Sequence, residues 1–140
     1  MSGIPPVDRA SLVATRRDIH QHPELGFEET RTATLIVDRL RSFDYQVTPG
    51  IGRTGVVGLK QKDGSRCVLL RADMDALPLR ETTGKPWTST VEGRMHACGH
   101  DGHTAMLLGA DRYLAETRNF DGTAAVIFQP AQEGGAGGQA

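Results

Sequence analysis

Two apolar segments of strand length lie on either side of a helix-forming segment, and this order restricts the chain to few architectures. CVLLRADM (67–74) and TAAVIFQP (123–130) are apolar runs that predict buried strands, and residues 104–117 predict a helix. Residues 77–94, with two prolines and two glycines, predict a loop between the first strand and that helix. A helix between two buried strands favours an α/β sheet with helices packed on it.

The earlier part of the chain predicts two helices and one further strand. Residues 7–23 have apolar residues at helical spacing, with Asp8 as the expected N-cap. Residues 28–43 form a clearer amphipathic helix, whose acidic start suits the helix dipole. TGVVGLK (54–60) predicts a short strand, and the Asp-Gly pair at 63–64 is typical of a hairpin turn.

Polar groups follow both long strands at the point where each is expected to end. Asp73 and Asp75 end the first strand, and Gln132 and Glu133 follow the second. In open α/β sheets, ligands bind at the carboxyl ends of the strands. We therefore expect these side chains to lie on one rim, near the loop that precedes the helix at 104–117.

That loop contains an unusual concentration of histidine, cysteine and aspartate. In MHACGHDGHTAMLLGA (95–110), His96, Cys98 and His100 alternate, so an extended segment would point all three to one side. Asp101 stands where a helix N-cap is expected. A Cys-x-His pair suits zinc or another late first-row ion, but a capping turn with surface histidines explains the same residues. A Cys98 nucleophile with His100 as its base is disfavoured, because nothing local orients the imidazole.

Carboxylates from the other strand ends favour a metal site over a capping turn. Glu133 is a suitable third ligand from a separate segment. A solvated strand end or an ion pair with a nearby arginine would explain Asp73 and Asp75, but the apolar residues after Asp75 would bury it, so Asp75 ranks higher. Ligand groups that converge from several strand ends are the pattern expected of a catalytic metal site.

Composition and charge exclude several other classes of protein. Of the 140 residues, 38% are hydrophobic and 24% are charged, and the formal net charge is -1. The basic residues form no cluster typical of nucleic-acid binding, and no apolar run is long enough to span a bilayer. The first residues lack a signal-peptide pattern, and two cysteines are too few for a disulfide framework. We expect a cytoplasmic protein that binds neither nucleic acid nor membrane.

Four segments, in this order, resemble a known family: HQHPELGFEET, LRADMDALP, MHACGHDGHTAMLLGA and IFQPAQEGG. They resemble the N-terminal part of the M20 metallopeptidase family, in particular its amidohydrolase branch of hippurate hydrolases, N-acyl-amino-acid amidohydrolases and hydrolases of auxin–amino acid conjugates. The resemblance implies a zinc-peptidase-like α/β domain with a central mixed sheet flanked by helices. Residues 1–140 would be an incomplete catalytic domain, whose C-terminal part and smaller lid or dimerisation domain lie elsewhere.

The resemblance also implies a binuclear centre and a substrate class. Cys98, His100 and Glu133 would be ligands to two divalent metal ions (Zn, Mn, Co or Ni), and further histidine ligands would come from later sequence. The implied activity is hydrolysis of the amide bond of small N-acyl amino acids, and the full-length protein is expected to be a homodimer. The remaining histidines are expected outside the ligand set, with His20 and His22 as exposed helix-end residues and His96 and His103 as outer or capping groups.

Two positions depart from the family pattern. Gln132 stands where the family carries its general-base glutamate, and an amide cannot accept a proton at neutral pH. Asp75 is the second candidate catalytic residue, because the apolar residues after it are expected to bury it. Asp111 lies at a helix position where relatives tend to carry a small apolar residue. A non-catalytic relative, or an inactive fragment, that binds metal or ligand without turnover is the alternative hypothesis.

Overall fold

The computed structural model describes residues 8–134 together with 137 and 138, and these form an α/β arrangement. The helices are α1 (Arg9–Gln21), α2 (Thr30–Ser42) and α3 (His100–Thr117). The strands are β1 (Gln46–Ile51), β2 (Gly55–Gln61), β3 (Cys67–Asp73) and β4 (Thr123–Gln129). Asp8 caps α1 as predicted, because its side chain accepts a hydrogen bond from the Ser11 amide at 3.0 Å.

The four strands form one mixed sheet in the order β1-β2-β4-β3. The β4 strand pairs antiparallel with β2 and parallel with β3, and β1 pairs antiparallel with β2. This confirms the predicted α/β class with a mixed sheet. Because β3 and β4 run in the same direction, the residues that follow both strands lie at one edge of the sheet, as does Thr54 before β2.

The core lies between the sheet and the helices α2 and α3. Ile36 and Leu40 of α2 and Leu108 of α3 pack against Val126 and Phe128 of β4, and all five side chains are buried. Burial of each such side chain contributes about 1.5–3 kcal/mol. The α1 helix packs on α3. In the part of the chain that the structure describes, no helix has the length and apolar character needed to cross a membrane.

The predicted hairpin at Asp63 and Gly64 is wrong, because β4 lies between β2 and β3. The bend instead contacts the start of β4: the Gly122 amide donates to the Asp63 carbonyl at 2.9 Å, and the Lys62 amide donates to the Gly122 carbonyl at 2.7 Å. An Asp-Gly pair favours a sharp turn, but it does not determine which strand comes to lie beside the preceding one.

The strand β3 is an edge strand and is buried only at its C-terminal end. Val68 is 61% exposed and Leu69 is 57% exposed, so the prediction of a buried strand is wrong for this half. The strand β1 was not predicted, since its sequence QVTPGI contains Pro49 and Gly50 and lacks an apolar alternation. Proline is tolerated in β1 because this strand also lies at an edge of the described sheet.

Candidate metal centre

The predicted rim exists at the edge of the sheet where β3 and β4 end. Asp73 and Asp75 leave β3 at this edge, and Gln132 and Glu133 follow β4. The start of α3 brings His100 to the same place, where its Nε2 lies 3.4 Å from Asp73 Oδ2 and 3.5 Å from Glu133 Oε1. The parallel pairing of two strands therefore brings together residues that are distant in sequence.

The three predicted ligands, Cys98, His100 and Glu133, lie close together. Each presents one ligand atom, and the three atoms lie within 4.8 Å of one another. Thiolate, imidazole and carboxylate are together a donor set that suits zinc and similar first-row ions. The hydrogen bond to Glu133, burial, and the charges of Glu133, Asp73 and Asp75 raise the pKa of the Cys98 thiol. A cation would offset this accumulation of negative charge, so the residues present fit a metal ion.

Asp75 accepts hydrogen bonds from two of these residues, His100 and Glu133, and so fixes their positions. It is buried, and His100 Nδ1 is 2.8 Å from the Asp75 carbonyl oxygen and 3.1 Å from its Oδ1. Both oxygens are acceptors, so Nδ1 carries the proton and Nε2 presents its lone pair to the site. Asp75 Oδ2 accepts a hydrogen bond from the Glu133 amide at 3.0 Å. The contacts of Asp75 are those of a positioning residue, and a direct catalytic role stays a prediction.

Substitution of Asp75 by asparagine is expected to weaken Co²⁺ binding about 10–100-fold, as is usual when an outer-shell partner of a metal ligand is lost. The amide group has one acceptor, whereas His100 and the Glu133 amide both donate to Asp75. Titration with Co²⁺ measures the effect, and the exposed Asp63→Asn variant is the control. Equal affinities for the two variants would contradict this role of Asp75.

Asp73 and His103 form a second group that shares His100. Asp73 is buried, and its Oδ1 lies 2.6 Å from His103 Nδ1. The atoms of Asp73, His100 and His103 also satisfy the spacing of a metal site. His100 Nε2 has one lone pair, and Nδ1 is occupied by Asp75, so His100 can serve only one of the two groups at a time. Asp73 is not a solvated strand end, but its Oδ2 lies 3.7 Å from Arg71 Nη1, so the ion pair that was the other explanation of this residue is present.

His96 does not join the metal group, although the alternating pattern predicted that it would point the same way as Cys98 and His100. The chain is not extended here: Gly99 has a φ of 89°, and α3 begins at His100 rather than at residue 104. His96 is buried, and its ring nitrogens have no hydrogen-bond partner in the described part of the chain. Burial lowers the pKa of His96 to about 4, so this side chain is neutral at pH 7.

Asp101 and His20 also differ from their predicted roles. Asp101 lies in the first turn of α3 and is buried, so it is not the N-cap. It accepts hydrogen bonds from His20 Nδ1 at 2.8 Å and pairs with Arg16 Nε at 3.3 Å. His20 is buried between Asp101 and Glu81, and is not an exposed helix-end residue. His22 is half-exposed, as expected of a residue at a helix end.

Gln132 lies in a turn whose backbone is held on both sides. The Ala131 amide donates to Glu29 at 2.8 Å, and the Glu133 amide donates to Asp75 at 3.0 Å. Glu29 is fully buried, and sequence reasoning assigned it only to the helix dipole of α2. The signal that could have identified it is its place in the segment HQHPELGFEET. The side chain of Gln132 is thus placed next to a predicted ligand, at the edge where the other site residues meet.

Comparison with known proteins shows that the chain is similar to one part of several hydrolases. The family model described as peptidase family M20/M25/M40 matches residues 69–140. A hippurate hydrolase of Campylobacter jejuni is 53% identical over 126 residues, which are 89% of this chain and 33% of that protein. The IAA-amino acid hydrolase ILR1-like 5 of Arabidopsis thaliana is 46% identical over 127 residues, which are 90% of this chain and 29% of that protein.

A solved structure shares the fold at high similarity. The YXEP protein of Bacillus subtilis, described as a dinuclear metal-binding peptidase from the M20 family, matches with a TM-score of 0.88 and 40% identity. The match covers 94% of this chain and 38% of that protein chain. The present chain therefore spans about a third of the length of the curated relatives that it matches.

Proposed function

Because this chain belongs to peptidase family M20/M25/M40, in the amidohydrolase branch, we propose that the protein hydrolyses the amide bond of N-acyl amino acids in a metal-dependent reaction. The names of two relatives support this substrate class, since hippurate and IAA–amino acid conjugates are both acyl groups joined to an amino acid through an amide.

The convergence of Cys98 and His100, around the start of α3, with Glu133, from the turn after β4, is the observation that carries this proposal. When bound there, divalent cations such as Zn, Mn, Co or Ni would lower the pKa of water and polarise the scissile carbonyl. The thiolate of Cys98, Nε2 of His100 and the carboxylate of Glu133 would hold metal. Asp75 would keep the Nδ1 proton on His100 and hold Glu133 through its backbone amide.

We propose that other parts of the whole protein complete the site. Three ligands are about half of what two divalent ions need, so further ligands would come from residues outside the described part of this chain. A lid or dimerisation domain, as implied by the family, would supply the pocket for the acyl group and the amino acid. The relatives provide room for such parts, since this chain covers 33% of the C. jejuni protein.

Replacement of Cys98 by alanine is expected to weaken Zn²⁺ or Co²⁺ binding by at least about 100-fold, because a direct ligand is lost. Elemental analysis of the protein encoded by the complete reading frame, together with Co²⁺ titration of this chain, measures the effect. Cys67→Ala is the matched control, since Cys67 is the other free cysteine and is also exposed, at the start of β3. Metal content that is unchanged in the Cys98 variant would contradict the proposed centre.

A second candidate function is binding of metal or an N-acyl amino acid without turnover. Gln132 favours this alternative, because its amide cannot transfer a proton in the way that a carboxylate does. Parallel measurements of hippurate binding and of glycine release, by the metal-loaded protein from the complete reading frame, distinguish the two functions. Binding without release supports the second candidate, and release with multiple turnovers supports hydrolysis.

A further inference from the structure

Residues 20–29, here called the N-terminal brace, contribute no candidate ligand but contact the three segments that form the candidate metal centre. The brace connects α1 to α2 and carries most of the segment HQHPELGFEET. Each of its three main contacts is made one or two residues away from a residue of the candidate metal centre. The brace therefore supports the segments that carry the centre but supplies none of its candidate ligands.

The first contact holds the start of α3. His20 Nδ1 lies 2.8 Å from Oδ2 of Asp101, the residue that follows His100. His20 Nε2 lies 3.0 Å from Glu81 Oε1, so the ring links α3 to the loop at 77–94. Both His20 and Asp101 are buried. Moving the two side chains apart would leave the buried carboxylate of Asp101 without this partner, so the contact keeps a fixed geometry.

The second contact holds the end of β3. The carbonyl of Glu24 accepts a hydrogen bond at 2.8 Å from the amide of Ala76, which follows Asp75. The side chain of Glu24 is fixed from the other side, because it accepts from the first amides of α2, at 2.8 Å for Arg31 and 2.7 Å for Thr32. The residue that orients His100 is thereby connected to the N-terminus of α2.

The third contact holds the turn that carries Gln132 and Glu133. Glu29 Oε2 accepts from the Ala131 amide at 2.8 Å, and its Oε1 accepts from the Thr54 hydroxyl at 2.9 Å. Ala131 has a φ of 50°, a left-handed conformation that costs a residue with a Cβ roughly 1–2 kcal/mol. Gly26 lies so close that an added Cβ would be 2.9 Å from the Ala131 Cβ. Such a backbone conformation persists only where its surroundings impose it.

Burial of the Glu29 carboxyl group costs folding free energy, which indicates that its contacts have a specific role. The side chain is fully buried, and burial raises its pKa while the hydrogen bonds from Ala131 and Thr54 oppose that change. A buried carboxyl group destabilises a fold unless its oxygens are paired, and both oxygens are paired here with groups of the sheet edge. An apolar residue would fill the same space without this cost but could not hold the Ala131 amide.

We propose that Glu29, as the key residue of the N-terminal brace, is a positioning residue that holds the Ala131–Glu133 turn so that the Glu133 carboxylate meets Cys98 and His100. This inference rests on the proposed function, since it takes Glu133 to be a metal ligand. Glu29 itself does not touch the ligand atoms and acts through the Ala131 amide.

Two substitutions distinguish whether the Glu29 side chain positions the turn or only fills space. Glu29→Leu removes both acceptors, whereas Glu29→Gln can still accept from the Ala131 amide and donate to the Thr54 hydroxyl. We expect Glu29→Leu to weaken Co²⁺ binding about 10–100-fold and to change the visible absorption of the Co²⁺–thiolate complex. Glu29→Gln should remain within about threefold of the wild type and keep its spectrum. Exchange of the Ala131 amide in the metal-free chain should be at least tenfold faster in the leucine variant.

A stability control and a second variant keep the test decisive. Leu40→Ala removes a fully buried core side chain of α2 and should lower stability while leaving Co²⁺ affinity and spectrum unchanged in the folded protein. If Glu29→Leu does not fold, Gly26→Ala replaces it, because the added Cβ displaces Ala131 and should weaken Co²⁺ binding in the same direction. Wild-type affinity and spectrum in folded Glu29→Leu, or in folded Gly26→Ala where the leucine variant does not fold, would overturn the inference. Failure of the wild type to bind Co²⁺ would overturn the proposed function first, and the role of the brace with it.

Discussion

Replacing Gln132 by glutamate is expected to raise kcat for hippurate hydrolysis by about 10²–10⁴-fold, the usual contribution of a positioned general acid–base group. The comparison needs the protein encoded by the complete reading frame, loaded with Zn²⁺ or Co²⁺. The new carboxylate would lie next to Glu133, in a turn held by the Ala131 and Glu133 amides. It could accept a proton from the attacking water and return it to the leaving amine. Glutamine has no group that can do either at neutral pH.

The pH dependence distinguishes a proton-transfer role of residue 132 from a general electrostatic effect. A general base must be ionised to accept a proton, so kcat of the Gln132→Glu variant should rise with pH as the new carboxyl group loses its proton. Gln61→Glu makes the same charge change at the exposed end of β2 and should leave kcat unchanged. KM should change less than kcat, because proton transfer acts in the transition state and not in substrate binding.

Two results would argue against this account of Gln132. Multiple rapid turnovers by the wild type, with no gain on substitution, would mean that another residue transfers the proton. Metal-loaded protein that binds hippurate without hydrolysing it, in both the wild type and the variant, would favour a binding protein. Metal content must be measured in every sample, since a variant with less metal would lose activity for a different reason.

The meeting of the three candidate ligands was predictable from a general property of parallel strands. The apolar runs at 67–74 and 123–130 identified two strands, and their parallel pairing brings Asp75 and Glu133 to one edge. Cys98 and His100 needed only the observation that the loop before α3 reaches the same edge. The order strand, helix, strand favours parallel pairing of the two strands, so this part of the site followed from the order of the elements.

Predictions from short sequence patterns were wrong where the same residues suit more than one structure. The Asp-Gly pair at 63–64 predicted a hairpin, but insertion of β4 between β2 and β3 depends on pairing energies that no short segment contains. Asp101 has the sequence context of an N-cap, yet Gly99 takes that position in a left-handed conformation. The helix therefore begins one turn earlier, and Asp101 becomes available to His20.

The buried residues that support the site from the N-terminal brace could not be identified from the spacing of residues in the sequence. His20 and Asp101 are 81 residues apart, and Glu29 and Ala131 are 102 residues apart. Both acidic residues were assigned to helix termini, which is the usual position of a charged side chain beside a helix. Their burial results from how α1 and the α1–α2 connection lie against the sheet edge, and this depends on the tertiary fold.

Substitution of Asp111 by alanine is expected to stabilise this chain by roughly 2–4 kcal/mol at pH 7, in contrast to most core substitutions. Asp111 lies in α3 and is fully buried, and within the described residues neither of its carboxylate oxygens has a hydrogen-bond partner. Burial raises its pKa from the usual 3.8 to about 8. Its neighbour Tyr45 donates to the Asp111 backbone carbonyl at 3.1 Å, so it does not satisfy the side chain.

The direction of the pH dependence follows from the raised pKa. Below pH 3.8 the carboxyl group is protonated in both the folded and the unfolded chain, and it costs no ionisation energy. Between this value and about 8 the unfolded chain releases the proton while the folded chain retains it, so stability falls by about 1.4 kcal/mol per pH unit. The loss is on the order of 4 kcal/mol at pH 7 and levels off above the folded pKa. Tyr45 stays protonated over this range, because burial raises its pKa and Asp111, once ionised, raises it further.

Urea unfolding of the wild type and the Asp111→Ala variant between pH 4 and pH 9 measures this effect as a difference in the free energy of unfolding. The difference should be near zero at pH 4, grow with pH and become constant above about pH 8, the folded pKa of Asp111. Histidines and other carboxylates titrate equally in both proteins, so their contributions cancel. Asp38→Ala, at an exposed position of α2, is the helical control and should change stability by less than about 0.5 kcal/mol at every pH. A constant difference across the range would mean that Asp111 is ionised in the folded chain and has a partner that compensates its charge.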